Sequence, residues 1–371
     1  MGSTDRHPPV FQAERALLDI LRDGRPAATL ASAEWQTVLY LALREGVSSI
    51  VFGRLTASAP GAVPQPVMAA LARRYHEGAE LTATAYLELE EVLRVLGAAG
   101  IRPMLLKGAA LARFTYGDAA TRPFTDLDLL VRRDDVSAVA KVMRRAGYAM
   151  AGPAHRSGTY EQCYFTPSWT RLPVDVHWQY AEPFHAIELD YGAVFARASS
   201  VAVGREVALL PSPDDLLLAL SVHVVREAWE SKPMLRYLCD MAEIIRWNSV
   251  NWDRLVECAL AGRHLRAPLR LSLGAARMLL GADVPRHVLE AMGPRRAAAV
   301  DRMVQRRVRV TVFRRPSPFE ALLRIAVMRW TDGDASPRYA ALVGDRIEVQ
   351  WARLRNHLGR RSGHAHGLPA R

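Results

Sequence analysis

The segment Asp126-Leu127-Asp128-Leu129-Leu130-Val131 opens with a strict alternation of acid and leucine. That period of two commits it to an extended strand. Asp126 and Asp128 then leave one face, and Leu127, Leu129 and Val131 leave the other. Such a strand belongs where one side meets a core and the other stays polar. A third acid, Asp175, lies in Pro173-Val174-Asp175-Val176-His177-Trp178, a second run of strand character. Three carboxylates gathered from neighbouring strands suit a hard divalent cation such as Mg²⁺ or Mn²⁺, which takes oxygen ligands and leaves room for phosphates.

Positive charge near these acids is sparse and specific. Of 49 basic residues only Lys107, Lys141 and Lys232 are lysines. Lys107 precedes Gly108 at the start of an expected helix, where an ammonium and free backbone N–H groups favour phosphate. The alternative is a surface lysine at a strand end. Arg122, four residues before Asp126, offers either a second cation for phosphates or a salt bridge. His177 shares a strand face with Asp175, and either orients a carboxylate, contacts an acceptor or makes a structural hydrogen bond. His223 and Asp240 are polar residues within apolar runs, and a hydrogen bond between helices accounts for them.

Periodicity divides the chain. Residues 1–9, polar and Pro-rich, are expected to be disordered, and 10–98 are expected to be helical. Ser32 with Glu34 marks a helix start, and Pro66–Leu96 reads as one or two long helices with Gly78 as the break. Its glutamates 77, 80, 88, 90 and 91 suit a mostly solvated face. From Gly100 the pattern changes to strands at 101–106, 124–131, 160–166 and 172–178, with helices at 108–116 and 134–147 and a hairpin at 201–210. Pro103 delays the ladder of the first strand. Ser212-Pro213-Asp214-Asp215 opens a second helical region that runs to 358, with interruptions near Pro268, Gly281, Pro285 and Pro316. The fold class is therefore α+β: a small mixed-sheet core over 99–211, between helical regions 10–98 and 212–358, with a flexible tail over 359–371.

Several function classes are set aside. No apolar run approaches the roughly 20 residues of a membrane span, and the N-terminal segment has no signal-peptide core, so a cytoplasmic protein is expected. Cys163, Cys239 and Cys258 lack metal or disulfide spacing and read as free thiols. The net charge of +11 and the clusters Arg306-Arg307-Val308-Arg309 and Arg314-Arg315 carry no RRM, KH or zinc-finger signature, so nucleic acid is not expected as a partner. His364 and His366 belong to the tail composition, and Trp169 and Trp178 to core packing.

Leu105-Leu106-Lys107-Gly108-Ala109-Ala110-Leu111, Arg122-Pro123-Phe124-Thr125-Asp126-Leu127-Asp128, Ala146-Gly147-Tyr148 and Val174-Asp175-Val176-His177-Trp178 resemble the uncharacterised nucleotidyltransferases of the DNA polymerase β-like superfamily. The resemblance continues through 216–223 and 235–241 and covers most of residues 95–285. It implies a metal-dependent enzyme moving a nucleoside monophosphate from an NTP such as ATP to an acceptor hydroxyl on a small molecule, peptide or protein, with release of pyrophosphate. Asp126 and Asp128 would be the paired metal ligands and Asp175 the third carboxylate. Lys107-Gly108 stands where better-known members carry a Gly-Ser that holds the triphosphate, so phosphate contact would fall to Lys107 and the backbone, with Arg122 beside them. A non-catalytic relative, regulatory or antitoxin-like, is the rival that the missing Ser raises.

Overall fold

Seven short strands, β1 (Met104–Leu105), β2 (Leu127–Leu130), β3 (Ala149–Met150), β4 (Glu161–Phe165), β5 (Val174–His177), β6 (Ser199–Val203) and β7 (Glu206–Leu210), join in one mixed sheet. Its order is β3-β4-β5-β2-β1-β7-β6. This is a computed structural model, and it describes residues 9–58, 61–151, 160–168, 171–180, 189–229, 233–262 and 265–293. Expectations about residues 1–8, Trp169, Lys232, the arginine clusters beyond 305, Pro316 and the tail with His364 and His366 lie outside those residues.

The centre of the sheet is β2, antiparallel to β1 and parallel to β5. The alternation in its sequence is obeyed. Leu127 and Leu129, with Val174 and Val176 of β5, enter the main core, each 1% exposed or less. Replacing either leucine by Ala would cost about 2–5 kcal/mol in lost burial and residual cavity. Leu130 leaves the opposite face and joins a second apolar cluster with Met104, Leu106, Tyr180 and Val222. The acids therefore sit on a face that is polar at one end of the strands and apolar at the other. Pro103 lies just outside β1, where its carbonyl still accepts from Leu209 at 3.0 Å.

Helices α1 (Pro9–Asp23), α2 (Ser32–Arg44), α3 (Ser48–Ser58) and α4 (Gln65–Gly97) form the N-terminal region. Buried Val67, Leu71, Thr82, Ala85, Leu89, Val92 and Leu96 recur at helical spacing along α4. The break expected at Gly78 does not occur, and α4 runs through it. Gly78 serves close approach instead: a Cβ there would lie 3.1 Å from Cγ of Pro123, two residues before Thr125 and the acids. Two glutamates of the expected solvated face are also structural. Glu88 accepts the Leu172 N–H at 2.6 Å, and Glu90 accepts the Arg205 N–H at 2.9 Å. At the start of α2 the cap is Ala31 rather than Ser32, and Glu34 closes back on its N–H at 2.7 Å.

Within the core, α5 (Lys107–Phe114) follows β1, α6 (Val136–Arg145) follows β2, and α7 (Tyr191–Arg197) precedes the β6–β7 hairpin. Beyond it come α8 (Pro213–Trp229), α9 (Leu235–Trp247), α10 (Trp252–Ala261), α11 (Arg266–Leu280) and α12 (Arg286–Ala291). Asp214 and Asp215 do more than face the α8 dipole: Arg254 grips the first and Arg197 the second, each with two nitrogens. The interruption expected near Pro268 falls just before it, since α10 ends at Ala261 and α11 begins at Arg266; Pro268 itself sits in the first turn of α11, where its missing N–H would have no partner. Gly281 ends α11 in the left-handed region, φ 67°. Helices α8, α9 and α11 pack together, and α1 rests on α11. No helix among the described residues is long and apolar enough to cross a membrane.

Candidate active site

Strand register gathers the acids. On parallel β2 and β5, Asp128 pairs with Asp175 and Leu130 with His177, so Asp128 and Asp175 leave the sheet side by side. Asp126 comes from the bend just before β2, which begins at Leu127 rather than at Phe124. One carboxylate oxygen from each of Asp126, Asp128 and Asp175 lies within 4.8 Å of the others. An oxygen-only set of three acids at that spacing fits a hard divalent cation.

The three carboxylates differ in surroundings. Asp128 is buried, which opposes its charge, but the Lys107 ammonium and His177 outweigh burial and hold its carboxyl well below the usual range. Lys107 Nζ lies 2.5 Å and His177 Nε2 2.8 Å from the same oxygen, Oδ1. Asp126 has no such partner, and burial followed by repulsion from Asp128 pushes it up to about 6. Asp175 is raised by burial, with a smaller opposing effect from the Cys163 thiol, which donates to it. That thiol is itself pushed up to about 12 by burial and by Asp175.

His177 is a bridge. Its Nδ1 stands 3.1 Å from Glu161 Oε2, and the Tyr160 hydroxyl donates to Glu161 Oε1 at 2.8 Å. Burial disfavours the imidazolium, yet the two carboxylates prevail and raise its pKa. Glu161 is held below the usual carboxylate range, because His177 overcomes its own burial.

Lys107 and Gly108 are shaped by local crowding. Lys107 opens α5 at φ 43°, a left-handed conformation that costs a non-glycine residue about 1 kcal/mol and clusters at functional sites. Gly108 has no room for a side chain: a Cβ would fall 2.4 Å from Cβ of Phe124. The tight contact presses the start of α5 against the loop that leads into Asp126.

Arg122 lines the same pocket, but its guanidinium turns away from the acids. Nε and Nη2 meet the two oxygens of Asp240 at 2.7 and 2.8 Å, and Nη1 donates to the Pro123 carbonyl at 3.2 Å. Tyr116 adds a third donor to Asp240 at 2.9 Å. Of the two openings left by the sequence, phosphate cation or salt bridge, the side chain adopts the second, though buried rather than at the surface. Asp240 thus ties α9 to the core instead of pairing two helices.

The pocket above the acids measures about 260 Å³. Its far wall comes from α8 and α9: His223, Glu227, Arg236 and Tyr237. His223 meets Tyr237 edge-on, with ring centroids 4.4 Å apart, and its Nε2 lies 3.4 Å from Glu227. Glu161, Cys163, Glu227, Arg236 and Tyr237 escape sequence reasoning. Glu161 carried one usable signal, the alternation of its strand, but only the register that sets it opposite His177 identifies it.

The family model of the uncharacterised nucleotidyltransferases matches residues 31–281, from just before α2 to the glycine that closes α11. Among solved structures the chain is similar to the antibiotic-resistance factor ANT(2'')-Ia, at 10% identity and a TM-score of 0.36, covering 48% of this chain and 91% of that one. It is also similar to an antigenic nucleotidyltransferase-like protein from Paracoccidioides brasiliensis, at 12% identity and a TM-score of 0.33, covering 56% and 97%. No curated protein matches the chain.

Proposed function

The chain belongs to the uncharacterised nucleotidyltransferase family, and from that premise we propose that it moves a nucleoside monophosphate from an NTP to an acceptor hydroxyl, releasing pyrophosphate. The observation that carries the reading is the register that sets Asp128 beside Asp175 with Asp126 within 4.8 Å. ATP is the first donor to test, and the acceptor is a small molecule, a peptide or a protein side chain. In this reading residues 99–211 supply the chemistry, and the helices from 212 onward supply the wall that faces it.

Asp126, Asp128 and Asp175 would hold Mg²⁺ or Mn²⁺. Bound there, such ions supply charge neutralisation for the phosphates and for the attacking and leaving oxygens. With Asp128 Oδ1 engaged by Lys107 and His177, its Oδ2 is the oxygen left to serve as ligand. Asp175, on the strand beside β2, takes the acceptor's proton, directly or through water. Lys107 and the first N–H groups of α5 lie beside the acids, where they would meet phosphate oxygens. Arg122 acts one step back, holding α9 against the core through Asp240. Reactions of this kind rest mainly on positioning and charge stabilisation, so few further groups are required.

The test is a thermal-shift titration with ATP, CTP, GTP and UTP, each with and without Mg²⁺ or Mn²⁺, on wild type and on Asp126→Asn/Asp128→Asn. A ligand that binds the native state raises its melting temperature. The expected result is a metal-dependent shift with one donor, absent in the double variant, together with pyrophosphate release. Binding without release in the presence of any acceptor would point to the regulatory rival. No shift with any nucleotide would overturn the reading.

A further inference from the structure

Three cations line the pocket, and two of them are committed to carboxylates: Lys107 to Asp128 and Arg122 to Asp240. The third, Arg236, makes no ion pair among the described residues; its Nη2 donates only to the Tyr237 hydroxyl, at 3.2 Å. A half-buried guanidinium beside a cluster of acids, without a carboxylate of its own, calls for an anion that the protein does not provide.

The side chain is held in place on several sides. Tyr237 presents its ring, with the guanidinium carbon 5.2 Å from the centroid. Gly46, in the left-handed region at φ 68°, lies along the stem: a Cβ at that position would make ordinary contact with Cδ of Arg236, at 3.5 Å. The preceding residue, Glu45, is buried and already paired, with Arg44 Nε 2.9 Å from its Oε1. Its carboxylate is thus held by Arg44 and makes no ion pair with Arg236. The first turn of α9 carries no acid that would compete for it. Arg236 is also near enough to the acids for its charge to favour ionised Asp126.

We infer that Arg236 is the phosphate-binding guanidinium of this site, holding the β- and γ-phosphates of the donor from the α9 wall across from Asp126, Asp128 and Asp175. This rests on the nucleotidyl-transfer reading and deepens it. A planar fork can engage two phosphate oxygens at once and does not need to leave a carboxylate to do so. It also divides the labour between cations: Lys107 stays with Asp128 near the reacting phosphorus, and Arg236 takes the portion that departs as pyrophosphate.

The test is calorimetric titration of wild type, Arg236→Met and Arg236→Lys with three probes in Mg²⁺: inorganic triphosphate, α,β-methylene-ATP and AMP. Circular dichroism melts check that the variants fold. Wild type should bind the first two probes, Arg236→Met should lose at least tenfold affinity for both while holding AMP within twofold, and Arg236→Lys should recover part of the loss. If wild type binds the triphosphates and Arg236→Met binds them equally well, the role of Arg236 is overturned and the wider reading stands. An equal loss for AMP also overturns it, because AMP lacks the β- and γ-phosphates. If wild type binds neither triphosphate, the nucleotidyl-transfer reading itself fails and this inference with it.

Discussion

Arg122 and Asp240 meet as a two-point pair, Nε to Oδ1 at 2.7 Å and Nη2 to Oδ2 at 2.8 Å, with side chains only 3% and 0% exposed. The residues are 118 positions apart, so this contact helps to close the helical wall over the acidic strand. A buried pair of this kind adds little over a well-packed apolar substitute, but removing one partner strands the other. Asp240→Ala should therefore destabilise the protein by about 3–5 kcal/mol, read as a lower urea midpoint. An unchanged midpoint would mean that Arg122 is available for phosphate after all.

Gly108 gives a steric prediction. Its substitution by Ala would drive a Cβ into Cβ of buried Phe124, since the ideal position is 2.4 Å away. Overpacking of this kind costs about 1–3 kcal/mol and shifts backbone. The parts that must shift are the start of α5 and the loop into Asp126, so pyrophosphate release should fall more than stability does. Phe124→Leu in the Gly108→Ala background should restore part of the rate. If Gly108→Ala is as active as wild type, the contact does not position the site.

The sequence was most informative where chemistry and periodicity coincide. The alternation around Asp126 and Asp128 and the Val-Asp-Val-His run locate β2 and β5 because an extended chain has a period of two. Gly78 was misleading because glycine weakens a helix in isolation, while here the surface of α4 needs a gap for Pro123. Pro268 was a better guide, because a proline is tolerated in the first turn of a helix and so marks the start of α11. Glu161 could not be placed, because antiparallel register against β5 is a long-range property. Arg236 was hidden in a chain that uses arginine for nearly all of its positive charge. What singles it out is its place on the pocket wall without a carboxylate partner among the described residues, and that is visible only after folding.

His177 touches Asp128 with one nitrogen and Glu161 with the other, at 2.8 and 3.1 Å. It fixes the direction of the Asp128 carboxylate, which is proposed as a metal ligand, without being placed as a ligand itself. Loss of such an outer partner typically weakens metal binding about 10–100-fold. His177→Phe should lower Mn²⁺ affinity by that factor in a spin-resonance titration, with Glu161→Gln causing a smaller loss through the same ring. Mn²⁺ affinity unchanged in His177→Phe would assign the histidine to packing against Tyr160, whose ring centroid lies 6.0 Å away.

The two central acids should respond oppositely to the same neutralising substitution in chelator-treated protein. Asp126 is surrounded by burial, Asp128 and Asp175, with Lys107 and Arg236 only partly compensating. Asp128 is the anchor for both Lys107 and His177. Asp126→Asn removes a repelled charge and should raise the melting temperature. Asp128→Asn leaves the Lys107 ammonium without its buried carboxylate and weakens the contact to His177, and should lower it by several degrees, in keeping with the cost of breaking a buried pair. Both variants should nevertheless lose pyrophosphate release, because an amide is a poorer ligand for a hard cation. Equal shifts in melting temperature would show that the Lys107–Asp128–His177 contacts do not hold in solution. Near-wild-type turnover in both would remove the metal-ligand role.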